Sequence, residues 1–276
     1  MLKKHILGID LGGTFTKFGL VNAGSVLLKF EEVPTPENKE KIIDLLIKKI
    51  RLYQADISKI GIGIPGIVNS KDGKILTTPN LPLSNFSLLR FLKEKIKLPI
   101  KIENDVNCFT LAEALIGSAR AYQNVIGLTL GTGIGGGIVI NKKIYHGHGY
   151  AGEFGHQFID YKNNKDLEDL LGAKKLKLEG FDYKKLAKDA LSKKVVALNF
   201  WKNLGNVLGY GCLNLIHLFD PEIIVLGGKQ TQFFNLFYPS LIKTVKKHCL
   251  VPLPKITKSR LIDKAGVIGA CLLFKK

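Results

Sequence analysis

The feature that most constrains this chain is that it repeats itself. GIDLGGTFTKFGLVN from Gly8 and GLTLGTGIGGGIVIN from Gly127 align at an offset of 119, with Gly8/Gly127, Leu11/Leu130, Gly12/Gly131 and Asn22/Asn141 identical. Each copy reads as a strand, a glycine turn and a second strand. Two readings follow: a duplicated fold of two similar lobes, or a coincidence of shared hairpin grammar. No low-complexity linker divides the 276 residues, so the duplication predicts two lobes with an intimate junction near residue 118. The expected division is a smaller lobe over 1–118, a larger one over 119–263, and a C-terminal helix over about 264–276 packing back on the smaller lobe.

Around the repeat the pattern alternates between strands and helices, which places the chain in the α/β class. Residues 5–10, 16–21 and 25–33 read as a meander of short apolar strands separated by glycine turns. In residues 38–55, Ile42, Ile43, Leu46, Ile47 and Ile50 recur at helical steps. KIGIGI is a buried strand ended by Pro65-Gly66; a helix over 84–96 leads into the strand LPIKIE and a helix over 105–117. In the second half, a hairpin at Asn141-Lys142-Lys143 precedes a glycine-rich loop and a helical, lysine-rich stretch over 165–192. A long helix over 194–219 presents Val196, Phe200, Leu204, Leu208, Leu215 and Leu218 on one broad face. Asp220-Pro221 ends it, EIIVL is a strand, and helices are expected over 231–248 and at the C-terminus.

Composition removes several function classes. No run approaches the 18 apolar residues of a membrane span, and MLKKHILGID turns polar too early for a secretory signal, so a cytoplasmic protein without membrane contact is expected. Cys108, Cys212, Cys249 and Cys271 form no CxxC pair and read as small buried hydrophobes. The formal charge of +18 comes almost wholly from lysine; Arg51, Arg90, Arg120 and Arg260 are the only arginines. Base recognition relies heavily on arginine, so the excess reads either as a solvated surface or as the footprint of a polyanionic partner.

Four groups of residues could carry chemistry. Asp10-Leu11-Gly12-Gly13-Thr14 follows a strand; its glycines would let backbone N–H groups approach an anion, Asp10 could hold magnesium through water, and Lys17 could reach phosphates. A plain hairpin turn is the alternative, and the spacing is not that of a Walker A loop. Gly131-Thr132-Gly133 opens a second glycine loop that lies between two strands, which excludes a dinucleotide fingerprint. Asn104-Asp105 stands where a strand ends and a helix begins, as a helix cap or as a carboxylate at the crevice end of a strand. Glu153 and His156 could offer an acceptor and a donor to a polyol; as zinc ligands they are too few.

Taken in order, GIDLGGTFTK (8–17), GIGIPGIV (61–68), TPNLP (78–82), ENDVN (103–107), GTGIGGG (131–137), GEFGH (152–156) and EIIVLGG (222–228) resemble the ROK family of sugar kinases and sugar-responsive repressors over nearly the whole chain. The resemblance implies a duplicated actin-like, hexokinase-like ATPase fold, ribonuclease H-like in its units, with two lobes around a central cleft. It implies Asp105 as catalytic base, with Asn104, Glu153, His156 and Glu168 on the sugar and Gly66 and Asn80 along the same pocket. Asp10, Gly12, Gly13, Thr14 and Lys17 would form one phosphate loop, Gly131, Thr132 and Gly133 the other, and Gly227-Gly228 would pass beneath the nucleoside. One departure is plain: the family's cysteine zinc segment after the GEFGH motif is missing, since no cysteine lies between Cys108 and Cys212. No structural zinc is expected, and His156 must then be held by packing or hydrogen bonds.

The expected activity is transfer of the γ-phosphate of Mg-ATP to a hexose, glucose at C6 first, by a homodimer. The alternatives are polyphosphate as donor, which the charge would attract, N-acetylmannosamine or another hexose as acceptor, and a non-catalytic sugar sensor. Only about four residues precede the first strand, which leaves no DNA-binding segment there, so no DNA partner is expected.

Overall fold

The computed structural model describes residues 5–275; residues 1–4 and 276, the outer ends of the expected 1–118 lobe and 264–276 helix, lie outside the described residues. The first three strands, β1 (His5–Leu11), β2 (Phe15–Val21) and β3 (Leu27–Pro34), form an antiparallel meander. Helix α1 (Lys39–Tyr53) starts at Asn38, whose side chain accepts a hydrogen bond from Lys41 N (3.0 Å), and buries Ile42, Ile43, Leu46 and Ile50. It leads into β4 (Ile57–Ile64), parallel to β1 and nearly continuously buried, as a central parallel strand requires. A small sheet of β5 (Ile67–Asn69), β6 (Lys74–Thr77) and β7 (Phe86–Ser87) precedes α2 (Leu88–Lys95), β8 (Ile100–Asn104) and α3 (Asp105–Leu115). The five-stranded sheet runs in the order β3-β2-β1-β4-β8.

The second half repeats this order. Strands β9 (Val125–Leu130), β10 (Ile134–Ile140) and β11 (Lys143–Ile144) form the meander, and a hairpin of β12 (Phe158–Asp160) and β13 (Lys165–Asp166) is followed by α4 (Leu167–Leu171), α5 (Ala173–Leu178) and α6 (Tyr183–Leu191). Helix α7 (Val195–Phe219) leads to β14 (Ile223–Gly227), α8 (Phe234–His248), β15 (Lys255–Lys258) and α9 (Ala265–Leu272). The sheet order is β11-β10-β9-β14-β15, with β14 and β15 parallel to β9 as β4 and β8 are to β1. Two copies of one sheet topology therefore underlie the chain, in the duplicated α/β architecture expected of an actin-like, hexokinase-like fold. The final helix of each copy crosses over: α3 packs on β9 and β10, α9 on β1 and β4, and the two helices pack on each other.

Several local expectations are corrected. The helix expected over 84–96 starts only at Leu88, because Phe86 and Ser87 pair with β6 after a left-handed Asn85 (φ 57°). The lysine-rich stretch over 165–192 is three short helices, broken at Gly172 and again at Gly180, where φ is 85°. On α7, Leu204, Leu208 and Leu215 are buried, but Val196 and Leu218 are 78% and 74% exposed. The real contact face runs through Gly205 and Gly209, which let α8 approach closely. Helix α8 starts at Phe234, after a 3-10 turn over Lys229–Phe233. Three cysteines are buried as expected, whereas Cys249 is half-buried and donates its Sγ to Val251 O (3.3 Å). Among the described residues no helix is long and apolar enough to cross a membrane.

Candidate active site

Asp105 is the first residue of α3, at the end of β8 beside the cleft between the sheets. The cap is supplied by Asn104: its Oδ1 accepts from Val106 N (2.8 Å) and Asn107 N (3.0 Å), and its Nδ2 donates to Gly66 O (3.0 Å). The two readings of Asn104-Asp105 are thus divided between neighbours, with Asn104 closing the helix and Asp105 spared that task. Asp105 Oδ1 accepts from the adjacent Val106 N (2.9 Å). Burial pushes the Asp105 carboxyl up to about 7, helped by the nearby charges of Asp10 and Glu153. Beneath it lies Glu103, 3% exposed, which composition and spacing did not single out. Its Oε1 accepts from Asn104 N (2.9 Å) and Asn107 Nδ2 (3.0 Å), and its Oε2 bonds His146 Nε2 (2.7 Å).

The two glycine loops lie on separate sheets, the first between β1 and β2 and the second between β9 and β10. In the first, Asp10 and Lys17 are partners across β1 and β2, and burial raises the Asp10 carboxyl against the opposing effect of Lys17. The Gly12-Gly13-Thr14 turn is closed by Gly12 N donating to Phe15 O (3.1 Å). It is anchored by Thr35, whose N donates to Thr14 O (3.0 Å) and whose Oγ1 donates to Gly12 O (2.7 Å). Asn80 lies against Gly13, where a Cβ would come within 2.7 Å of the Asn80 Cβ. Lys17 Nζ stands 3.8 Å from Asp263 and 4.0 Å from Glu32.

In the second loop Gly131 N donates to Gly133 O (3.0 Å), while Ala173 N and Lys174 N donate to Gly131 O (3.1 Å) and Thr132 O (3.0 Å). Glu168 belongs to this loop: its Oε2 accepts from Ile134 N (2.8 Å), and a Cβ on Gly133 would overlap its carboxylate. The expected sugar contact therefore sits with one oxygen committed to the loop backbone. Gln230, absent from the sequence reading, donates its Nε2 to Gly131 O (3.0 Å) and Leu171 O (3.3 Å). Gly228 has φ 83° and presses on the Leu130 backbone, whereas Gly227 packs on the Phe109 ring. Beside them a hollow of about 340 Å³ is lined by Phe181, Tyr183, Gln230, Phe233 and Lys177.

Gly66, Asn104, Asn107, Tyr150 and Glu153 line one small hollow next to Asp105. Gly66 has φ 96°, a conformation that favours glycine. Partial burial raises the Glu153 carboxyl, and His156 opposes this. His156 is held by Asp166, whose Oδ2 lies 2.9 Å from its Nδ1, and this hydrogen bond raises the imidazole above its ordinary range. Asp166 also caps α4 through Oδ1, which accepts from Asp169 N (2.7 Å). The β12–β13 hairpin that delivers Asp166 is tied internally: Asp160 accepts from Asn163 N (3.1 Å) and Asn163 Nδ2 (2.7 Å), and Asn164 is left-handed (φ 54°). Neither Asp166 nor Glu103 stands in a glycine motif, so only their spacing to His156 and Asn104 could have signalled them.

Comparison with known proteins agrees with this fold. The family model described as "ROK family" matches residues 6–276. The chain is 33% identical over 303 residues to the N-acetyl-D-glucosamine kinase of Pectobacterium atrosepticum, covering 96% of this chain and 97% of that one. It is 31% identical over 304 residues to a putative xylose repressor of a Caldicellulosiruptor species, covering 96% of this chain and 76% of the repressor. Among solved structures, a ROK family glucokinase from Streptomyces griseus in complex with glucose and AMPPNP superposes with a TM-score of 0.84 at 26% identity, covering 98% of both chains.

Proposed function

Since this chain belongs to the ROK family, we propose that it transfers the γ-phosphate of ATP to the C6 hydroxyl of glucose, with Asp105 as general base. It is a phosphotransferase of the sugar-kinase kind with the actin-like ATPase fold; acceptor, donor and residue roles are what the proposal adds. The observation that carries it is Asp105 itself, a carboxylate at the head of α3, relieved of capping by Asn104 and near enough to Asp10 and Glu153 to feel both charges. In this reading the hexose binds at the hollow lined by Gly66, Asn104 and Glu153, which measures about 10 Å³ and must open to admit a sugar; Asn80 and His156 are added to it from the family resemblance. Its C6 oxygen attacks the terminal phosphorus in line as the bond to the bridging oxygen breaks, and the proton of the C6 hydroxyl passes to Asp105. The products are hexose 6-phosphate and ADP. Because such transition states are loose, positioning outweighs early deprotonation.

The nucleotide would lie with its phosphates between the 12–14 and 131–133 turns and its base in the hollow of Phe181, Tyr183 and Phe233 beside Gly228. Asp10 fits magnesium: a hard, half-buried carboxylate that receives no hydrogen bond among the described residues suits an ion that keeps most of its water. When bound, the ion would supply charge neutralisation for the phosphate chain. Lys17 adds a point charge on the same side.

A second acceptor, N-acetylglucosamine, is favoured by the kinase relative at 33% identity. A coupled assay crossing glucose, mannose, N-acetylglucosamine and N-acetylmannosamine with ATP, GTP, ADP and polyphosphate separates these readings. Glucose with ATP is expected to give the highest kcat/KM; a higher value for another pair replaces that acceptor or donor. The same preparation tests the remaining partner readings, with light scattering expected to give a homodimer and DNA expected not to bind at physiological salt.

A further inference from the structure

A cavity of about 910 Å³ lies between the two sheets where their edge strands β8 and β11 approach each other, and nothing in the proposed reaction uses it. Its lining includes Lys71, Lys93, Lys101, Lys142, Lys143 and Lys275, and one carboxylate, Glu103. Six of the 18 lining residues are lysine, a share well above that of the chain as a whole, so general lysine richness does not account for it. The single carboxylate is already answered, since Glu103 bonds His146 at 2.7 Å and two amide donors. Among the described residues none of the six lysines forms an ion pair.

Three of these cations are fixed in place. Lys142 Nζ donates to Ala114 O (2.7 Å), Arg120 O (2.9 Å) and Ala119 O (3.3 Å), Lys101 Nζ to Leu273 O (2.8 Å), and Lys275 Nζ to Ser25 Oγ (3.3 Å). Carbonyl and hydroxyl partners orient an ammonium without cancelling its charge. Lys71, Lys93 and Lys143 are exposed and free to swing onto a guest. A concave site of this size matches a small ligand rather than a nucleic acid, and its low-dielectric walls focus the field of the lysines.

We propose that this cavity binds a small phosphate-bearing polyanion, at a site separate from both the hexose hollow and the glycine loops. Its floor is Glu103, the residue next to Asn104, and its wall includes His146, from the loop that continues to Glu153. A guest there therefore touches both elements that present the active-site carboxylates, which is the position of a regulator. Phosphorylated sugars and inorganic polyphosphates share the required chemistry.

The test is calorimetric titration of the full chain with tripolyphosphate and, separately, with glucose 6-phosphate, at about 0.15 M salt and with glucose and AMPPNP saturating. Binding at one site is expected to survive saturation of the active site. It is expected to weaken at least about tenfold in the Lys71→Ala/Lys93→Ala/Lys143→Ala variant and to be unchanged in Lys185→Ala/Lys188→Ala/Lys246→Ala, which removes equal charge elsewhere. The His146 ring resonances are expected to move on titration. Tighter binding of one probe identifies the source of the phosphate. Absence of binding, equal weakening in both variants, or displacement by AMPPNP would overturn the proposal. The comparison of the two lysine variants reads the cavity alone, so a wrong acceptor or donor assignment leaves that arm intact.

Discussion

Asp105 holds its proton until about pH 7, well above the ordinary carboxylate value of 3.8, because burial disfavours its charge and Asp10 and Glu153 add like charge nearby. A general base must be deprotonated to act, so kcat/KM, which reports the free enzyme, is expected to rise along an acid limb centred near 7. About 90% of Asp105 is in the base form at pH 8 and about 3% at pH 5.5, a fall of roughly 30-fold. Asp10→Asn removes the largest charge contribution and is expected to move the limb to lower pH without abolishing it, since burial leads. The assay is coupled detection of ADP at subsaturating glucose between pH 5.5 and 8.5. Asp105→Asn is expected to lose roughly 10²–10⁴-fold in turnover and to lose the limb from what remains.

Linkage gives an independent check. A carboxyl whose folded value lies above its unfolded value contributes stability that is present below pH 3.8 and is lost as pH rises through about 7. Asp105→Asn is therefore expected to gain stability over the parent in urea unfolding at pH 8 and not at pH 4. A kcat/KM that stays flat from pH 5.5 to 8, or an Asn variant no more stable at pH 8, refutes the reasoning.

Four further perturbations test the supporting structure. Asp166→Ala removes the α4 cap, about 1 kcal/mol in melting, and is expected to lower the His156 titration by NMR and raise the hexose KM about tenfold with less change in kcat; Asp166→Asn should restore the cap but not the His156 titration, and an unmoved His156 in both refutes the pairing. Glu113, fully buried, accepts from Ser118 N (2.6 Å), Leu261 N (3.0 Å) and Ser259 Oγ; Glu113→Ala is expected to cost roughly 2–4 kcal/mol in urea unfolding, and a loss below about 0.5 kcal/mol would remove it as a tie. Gly133→Ala is expected to displace the Glu168 carboxylate and raise the KM for ATP; if the hexose KM rises as well, Glu168 also serves the sugar, and if neither moves, its place on the loop is immaterial. Hydrogen exchange on adding glucose is expected to show protection at 131–133 and 145–153 with little change in α3, and uniform protection or none would argue against closure of two lobes.

The fold was legible because its determinants are local. Glycine turns, buried strands such as KIGIGI, and the Asn104 cap all express backbone preferences over a few residues, and the repeated meander followed from them. The site was legible only in part. Asp10, Asp105 and the glycine loops announce themselves by occurring at strand ends, but Glu103 and Asp166 act on groups brought near by pairing of separate strands. Phe158 stands opposite Asp166 only because the Asp160–Asn163 turn reverses the chain there. Glu168 shows the converse: only the family resemblance pointed to it, and the close approach of Gly133 to α4, which engages one of its oxygens with the loop, has no signal in the local sequence. Exposure of Val196 and Leu218 on α7 has a similar origin, because the glycines at 205 and 209 selected a different face.

The identities in the repeat also have two separate physical causes. Gly12 and Gly131 close the turns, through hydrogen bonds from their N–H groups to Phe15 O and Gly133 O. Gly8 and Gly127, at the same offset, seat helices: a Cβ on Gly8 would overlap the Val267 carbonyl of α9, and one on Gly127 would overlap the Thr110 hydroxyl of α3. Each sheet thus receives the last helix of the other copy, and the two helices meet between the sheets. Asp105 heads one of them, and Gly266, near the start of the other, lies against the Asp10 carboxylate. Both carboxylates therefore stand beside the helix–helix contact between the sheets, whereas the 131–133 loop joins two strands of one sheet alone; if the lobes close on substrate, that contact is the pivot to expect. A rotation displaces a group in proportion to its distance from the pivot. In the proposed reaction, such a closure is expected to bring sugar and phosphate groups together while leaving Asp105 and Asp10 nearly in place, preorganised before substrate arrives.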